Sequence, residues 1–109
     1  MSQNISFETE MLSETHFLIR LGGFFRHYDA EFFKRNVDVL IAQGRTILTF
    51  DLAGLGEITK AGIGCLLYAQ QEAKKNGGRI VLCAPNNKVR YRIEKLGFVP
   101  FFEIEDRDA

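Results

Sequence analysis

From Ile5 onward the apolar residues of this chain switch back and forth between a two-residue and a helical period, and glycine stands at most of the changes. Ile5-Ser6-Phe7 and Phe17-Leu18-Ile19-Arg20-Leu21 read as two short strands joined through the polar stretch from Leu12 to Thr15, close enough to pair antiparallel, with Gly22-Gly23 ending the second. Asp29 is placed to cap a first helix that runs to about Gln43 and stops at Gly44, its core side made by Phe33, Val37, Leu40 and Ile41. The β-branched and apolar run Thr46–Leu52 predicts a central strand, followed by a glycine-rich loop from Ala53 to Ile58. A second helix is expected over about Lys60 to Asn76, burying Ile63, Leu66, Leu67 and Ala73, and Arg79–Cys83 makes another strand. Pro85-Asn86 opens a third helix with Val89, Ile93 and Leu96 stacked along it and Gly97 at its end, and Phe101–Ile104 reads as a short last strand.

Strands alternating with helices imply crossovers and parallel pairing. The expected fold is therefore α/β: one domain over residues 1–109, a mostly parallel four- to five-stranded sheet with an antiparallel N-terminal strand at its edge, and three or four helices on one face or both. A chain of 109 residues buries enough surface for one core without disulfide or metal staples. The first residues and the acidic stretch from Glu103 to Ala109 are expected to fray.

Composition narrows the functional classes. The 14 basic and 14 acidic residues cancel, which removes the basic excess typical of a direct nucleic-acid binder. No apolar run approaches the ~20 residues of a membrane span, and the opening Met1-Ser2-Gln3-Asn4-Ile5 lacks a basic and apolar leader, so a cytoplasmic protein without membrane insertion is expected. Cys65 and Cys83 have no C-x-x-C spacing and read as two small buried thiols, while His16 and His27 assemble no metal site. Gly54-Leu55-Gly56 is neither G-x-G-x-x-G nor a Walker pattern, and there is no G-x-S-x-G. No catalytic residue, metal or cofactor is expected, and the chain reads as a non-enzyme.

Arg20-Leu21-Gly22-Gly23, Phe50-Asp51-Leu52-Ala53-Gly54-Leu55, Ile58-Thr59-Lys60-Ala61-Gly62-Ile63-Gly64-Cys65-Leu66-Leu67, Gly77-Gly78-Arg79-Ile80-Val81-Leu82 and Ile93-Glu94-Lys95-Leu96-Gly97-Phe98, in this order and spacing, resemble a STAS domain, the family that joins sulfate transporters and anti-sigma factor antagonists. In the bacterial antagonists the segment before the second helix reads Asp-Ser-Ser-Gly-Leu-Gly. Its first serine is phosphorylated by a kinase that is also the anti-sigma factor, and the added charge blocks binding. Here Thr59 stands at the Asp, Lys60 at the phosphorylated serine and Ala61 at the second serine, and the family's Gly-Glu-Leu-Asp reads Gly23-Phe24-Phe25-Arg26. The resemblance thus implies a regulatory protein-binding module whose serine switch is lost, with Phe24, Phe25, Arg26, Gly56, Glu57, Thr59, Lys60, Ala61 and Gly62 at the partner surface. The implied partner is a kinase-type anti-sigma factor or related regulator. The alternative is a STAS subunit of a lipid-transport or other transporter complex, docked on an ATPase; a small ligand at the glycine-rich loop is a further option.

Individual residues leave alternatives open. Thr59 is either a helix cap or a substitute phosphosite, and Glu57 is placed to neutralise Lys60. Tyr28, Phe32 and Val39 form a second stripe on the first helix, which with Phe24 and Phe25 makes either an exposed patch for a partner or a homodimer, or local packing around a core Phe25. Lys88, Arg92 and Lys95 share one side of the third helix, with Arg90 nearby, and read as a solvated face.

Overall fold

A computed structural model of the chain describes residues 4–106, so the expected fraying of the extreme ends lies partly outside the described residues. Five strands, β1 (Ile5–Met11), β2 (His16–Phe25), β3 (Ile47–Ile58), β4 (Arg79–Cys83) and β5 (Ile104–Glu105), form one sheet in sequence order. Only the β1–β2 pair is antiparallel; β2 to β5 run parallel. The helices are α1 (Ala30–Ala42), α2 (Lys60–Lys75) and α3 (Asn87–Lys95), with 3-10 turns at His27–Asp29 and Val99–Phe101. The last strand thus begins at Ile104, because the expected Phe101 belongs to the preceding turn.

The register explains how the core is built. Phe17 pairs with Leu48 and Ile19 with Phe50, and Leu48 pairs with Ile80 and Phe50 with Leu82, so these side chains share one face. That face meets the helices: Phe33 of α1 lies 5.5 Å from Phe50, 5.0 Å from Phe25 and 5.9 Å from Phe7 between ring centroids, in one cluster with Ile63 and Leu66 of α2 and Val89 and Ile93 of α3. The opposite face is largely polar, with His16 Nε2 2.8 Å from Thr49 Oγ1 and Arg20 paired to Glu10 at 2.7 Å. Three expected core positions are only partly covered: Ile41 and Leu67 are half-buried, and Leu96, just past the end of α3, is exposed. Cys65 is buried, whereas Cys83, near the sheet's C-terminal end, is half-buried.

Two strands run longer than their sequence suggested. Gly22-Gly23 does not end β2; the strand continues to Phe25 with register shifts on either side of the pair. Gly23 sits at φ +91°, and a side-chain carbon there would meet the Asn4 carbonyl oxygen at 2.2 Å, so glycine serves a bulge beside β1. Likewise Ala53–Ile58 is not a loop but the second half of β3, paired with β2 through Gly22↔Gly54, Gly23↔Leu55 and Phe24↔Glu57. Asp29 differs from expectation too. It precedes α1, but its carboxylate turns back to accept the backbone N–H groups of Asn4 (2.6 Å) and Arg26 (3.1 Å), fastening the start of β1 to the β2–α1 turn. The residue is fully buried, so this link replaces the cap.

Candidate functional site

The extended β2 and β3 end side by side, and their last residues bring together several of the positions singled out in the sequence. Phe24 pairs with Glu57 and Phe25 with Ile58 across the two strands. Arg26, just past β2, donates to Glu57 Oε1 from Nη2 at 2.8 Å and from Nε at 3.3 Å, while its guanidinium lies 5.3 Å from the centre of the Phe24 ring. The Arg26 hydrogen bond, with the nearby charges of Arg26, Lys88 and Arg92, holds the Glu57 carboxyl below its ordinary value of 4.5 against the opposing effect of desolvation. Glu57 is therefore committed to Arg26 and not to Lys60, with which it makes no ion pair. Phe24 remains 49% exposed, and its ring lies over Gly56, where a side-chain carbon would approach Phe24 Cε1 to 3.0 Å.

Alternation along the strand decides the fate of the neighbouring phenylalanine. Phe24 faces out and Phe25 faces in, fully buried against Phe33, so Phe25 is a core residue and not a partner contact. Gly62 is withdrawn from the surface as well: it is buried, and a side-chain carbon there would lie 2.8 Å from both Ile58 Cγ1 and the Phe25 carbonyl oxygen. The suggested stripe on α1 divides in the same way. Tyr28, in the turn before the helix, and Val39 are exposed, whereas Phe32 is half-buried with its ring 6.2 Å from Phe7.

Thr59 occupies the N-cap of α2. Its hydroxyl accepts the Gly62 N–H at 3.3 Å and donates to the Phe25 carbonyl at 3.3 Å, and its own N–H reaches that carbonyl at 3.0 Å. The next residues, Lys60 and Ala61, are exposed on the first turn, and Lys60 makes no ion pair among the described residues. Tyr28 belongs to the same region through the β2–α1 turn; it is 55% exposed and stacks on His27 with ring centroids 4.0 Å apart. The sequence held no sign of the Arg26–Glu57 pair, whose members are 31 positions apart and meet only because β2 and β3 are parallel neighbours.

No trio of His, Cys, Asp or Glu side chains among the described residues is grouped to hold a metal, and none of their helices is long and apolar enough to cross a membrane. With Gly54 and Gly56 built into a strand, the glycine-rich segment offers no phosphate-cradling loop.

A parallel sheet with an antiparallel first strand, and a helix capped by Thr59 directly after the third strand, define a STAS-type regulatory domain. The chain belongs to the STAS domain family, whose model matches residues 8–108. It is similar to the anti-sigma F factor antagonist of Lysinibacillus sphaericus, at 28% identity over 96 residues that cover 87% of this chain and 82% of that protein. Among solved structures, the anti-sigma factor antagonist SpoIIAA in its unphosphorylated form superposes with a TM-score of 0.81 at 26% identity, covering 95% of this chain and 90% of that one. A putative antagonist from Thermotoga maritima shares the fold, with a TM-score of 0.79 at 18% identity over 93% of this chain and 86% of that one. The antagonist family is regulatory and non-enzymatic, and this chain is an antagonist-like STAS module.

Proposed function

We propose that the protein binds a kinase-type anti-sigma factor or a closely related regulator through the end of the sheet formed by Phe24, Arg26, Gly56 and Glu57 with Thr59, Lys60 and Ala61 of α2, and that no phosphate at the second-helix motif gates this binding. One observation carries the reading: an exposed Lys60 occupies the first turn of α2 while the adjacent Thr59 hydroxyl is bonded on both sides as a cap. An ammonium cannot take the serine's phosphate, and its charge opposes the positive end of the helix dipole. Lys60 therefore serves there as a fixed positive contact. Similarity to the anti-sigma F factor antagonist favours this partner class over a transporter ATPase, which would dock on the same face.

The test pairs the protein with anti-sigma kinases of its own genome and measures binding by calorimetry, with and without ATP. Binding that persists in ATP, and that falls about tenfold (about 1.4 kcal/mol) in Lys60→Glu, is the expected result. Stoichiometric phosphate on Thr59 by intact mass, with release of the partner, would overturn the ungated reading. A transporter ATPase captured by the same face in place of any anti-sigma kinase would overturn the partner class.

A further inference from the structure

Beside the site just described, Glu57 and Ile58 at the end of β3 face α3 across a cleft of about 400 Å³, lined on the helix side by Lys88, Tyr91, Arg92, Lys95 and Leu96. The basic side of α3 is exposed, as its sequence suggested, and is at the same time one wall of a concave site. Among the described residues none of its three cations makes an ion pair, and the one carboxylate lining the cleft, Glu57, is already bonded to Arg26. A chain whose 14 basic and 14 acidic residues balance thus gathers at this cleft three cations against the single Glu57 carboxylate among its described lining residues.

The layout of that charge selects its ligand. Lys88, Arg92 and Lys95 occupy successive turns, so their charges are strung over roughly 10 Å along the helix. Such a row matches carboxylates repeated along a peptide better than one compact phosphate. The N-terminus of α3 is not a free anion site, because Asn86 Oδ1 accepts the Val89 N–H at 2.9 Å and Asn86 Nδ2 donates to the Leu55 carbonyl at 2.7 Å. Tyr91, 61% exposed, and Leu96 add apolar surface beside the cations, which suits an aliphatic or aromatic side chain within an acidic segment.

We infer that the cleft between the end of β3 and α3 is a second docking point, taking an acidic peptide segment of a protein partner that carries an apolar anchor. This rests on the reading that the adjoining end of the sheet is a protein-docking face, but it is tested without that partner. The probe is a fluorescein-labelled decapeptide of glutamates around one leucine and one phenylalanine, titrated with the full chain by fluorescence anisotropy.

Saturable binding that weakens with salt, drops about tenfold in Arg92→Glu and in Lys95→Glu, and is unchanged in Lys60→Glu is the expected result. Thermal melts of these variants, with Arg92→Gln and Lys95→Gln as milder forms, verify that each is folded. No saturable binding at low salt, or equal binding by folded Arg92→Glu and Lys95→Glu, overturns the inference. So does displacement of the peptide by ATP or by phosphatidylglycerol vesicles with the same dependence on Arg92 and Lys95, which would mark the cleft as a nucleotide or lipid site. Because the peptide assay contains no anti-sigma factor, its failure leaves the Lys60 measurement standing. Conversely, loss of the Lys60 effect on partner binding overturns the docking-face reading without touching the peptide result.

Discussion

At the scale of single residues, two glycines of α2 behave oppositely although they lie two positions apart. Replacing glycine by alanine inside a helix gains about 1 kcal/mol of propensity. At Gly64 nothing lies within 4 Å of the added carbon, so Gly64→Ala should stabilise the fold by up to about that amount. At Gly62 the carbon would press on a backbone oxygen of Phe25 and on Ile58 at 2.8 Å. Overpacking of this kind costs about 1–3 kcal/mol, so Gly62→Ala should be destabilising by about 1 kcal/mol net. Urea unfolding of the two variants checks the opposite signs. Ala84, between β4 and α3, is the one described non-glycine residue at positive φ, 55°. A left-handed conformation costs an L-residue about 1–2 kcal/mol, part of which glycine loses again through the freedom of its unfolded chain. Ala84→Gly should therefore raise stability by about 0.5–1 kcal/mol, seen as a higher thermal midpoint.

At the scale of elements, α1 and α2 are joined at their solvent edge by Tyr68, whose hydroxyl donates to Asp38 Oδ1 at 2.6 Å while Lys34 Nζ lies 5.1 Å from the ring centre. The hydrogen bond to Asp38, assisted by desolvation and by the charges of Asp38 and Glu72, pushes the phenol up to about 12 from its ordinary 10. Since the folded value is the higher one, the neutral phenol stabilises the fold fully below pH 10, and that contribution is lost as pH rises through about 12. Tyr68→Phe should cost about 0.5 kcal/mol near neutral pH, as befits a bond at the surface. Its unfolding midpoint should converge with the wild type's as the solution is made alkaline. The helix boundaries themselves were readable because Gly44, Gly77, Gly97, Thr59 and Asn86 are local signals. The strand ends were not. Glycine weakens a strand only on average, and here pairing between β2 and β3 carries both strands through their glycines to the edge of the site.

At the scale of the whole molecule, Phe33 is where the parts meet, since it touches Phe7 of β1, Phe25 of β2 and Phe50 of β3 from its place on α1. Phe33→Ala should cost about 3–5 kcal/mol. Against the ~5–15 kcal/mol by which domains of this size are stable, that loss should leave a detectable unfolded fraction near the growth temperature, visible in far-ultraviolet circular dichroism.

The order of elements, the antiparallel first pair and most of the core followed from hydrophobic period and turn chemistry, because those preferences act within a few residues along the chain. Tertiary pairing alone made Phe24 a surface ring and Phe25 a core ring, gave Glu57 to Arg26 and set the cations of α3 across from it in a cleft. These depend on which strand lies beside which and on where each one stops. Such contacts join positions some 30 residues apart, and no local pattern encodes them.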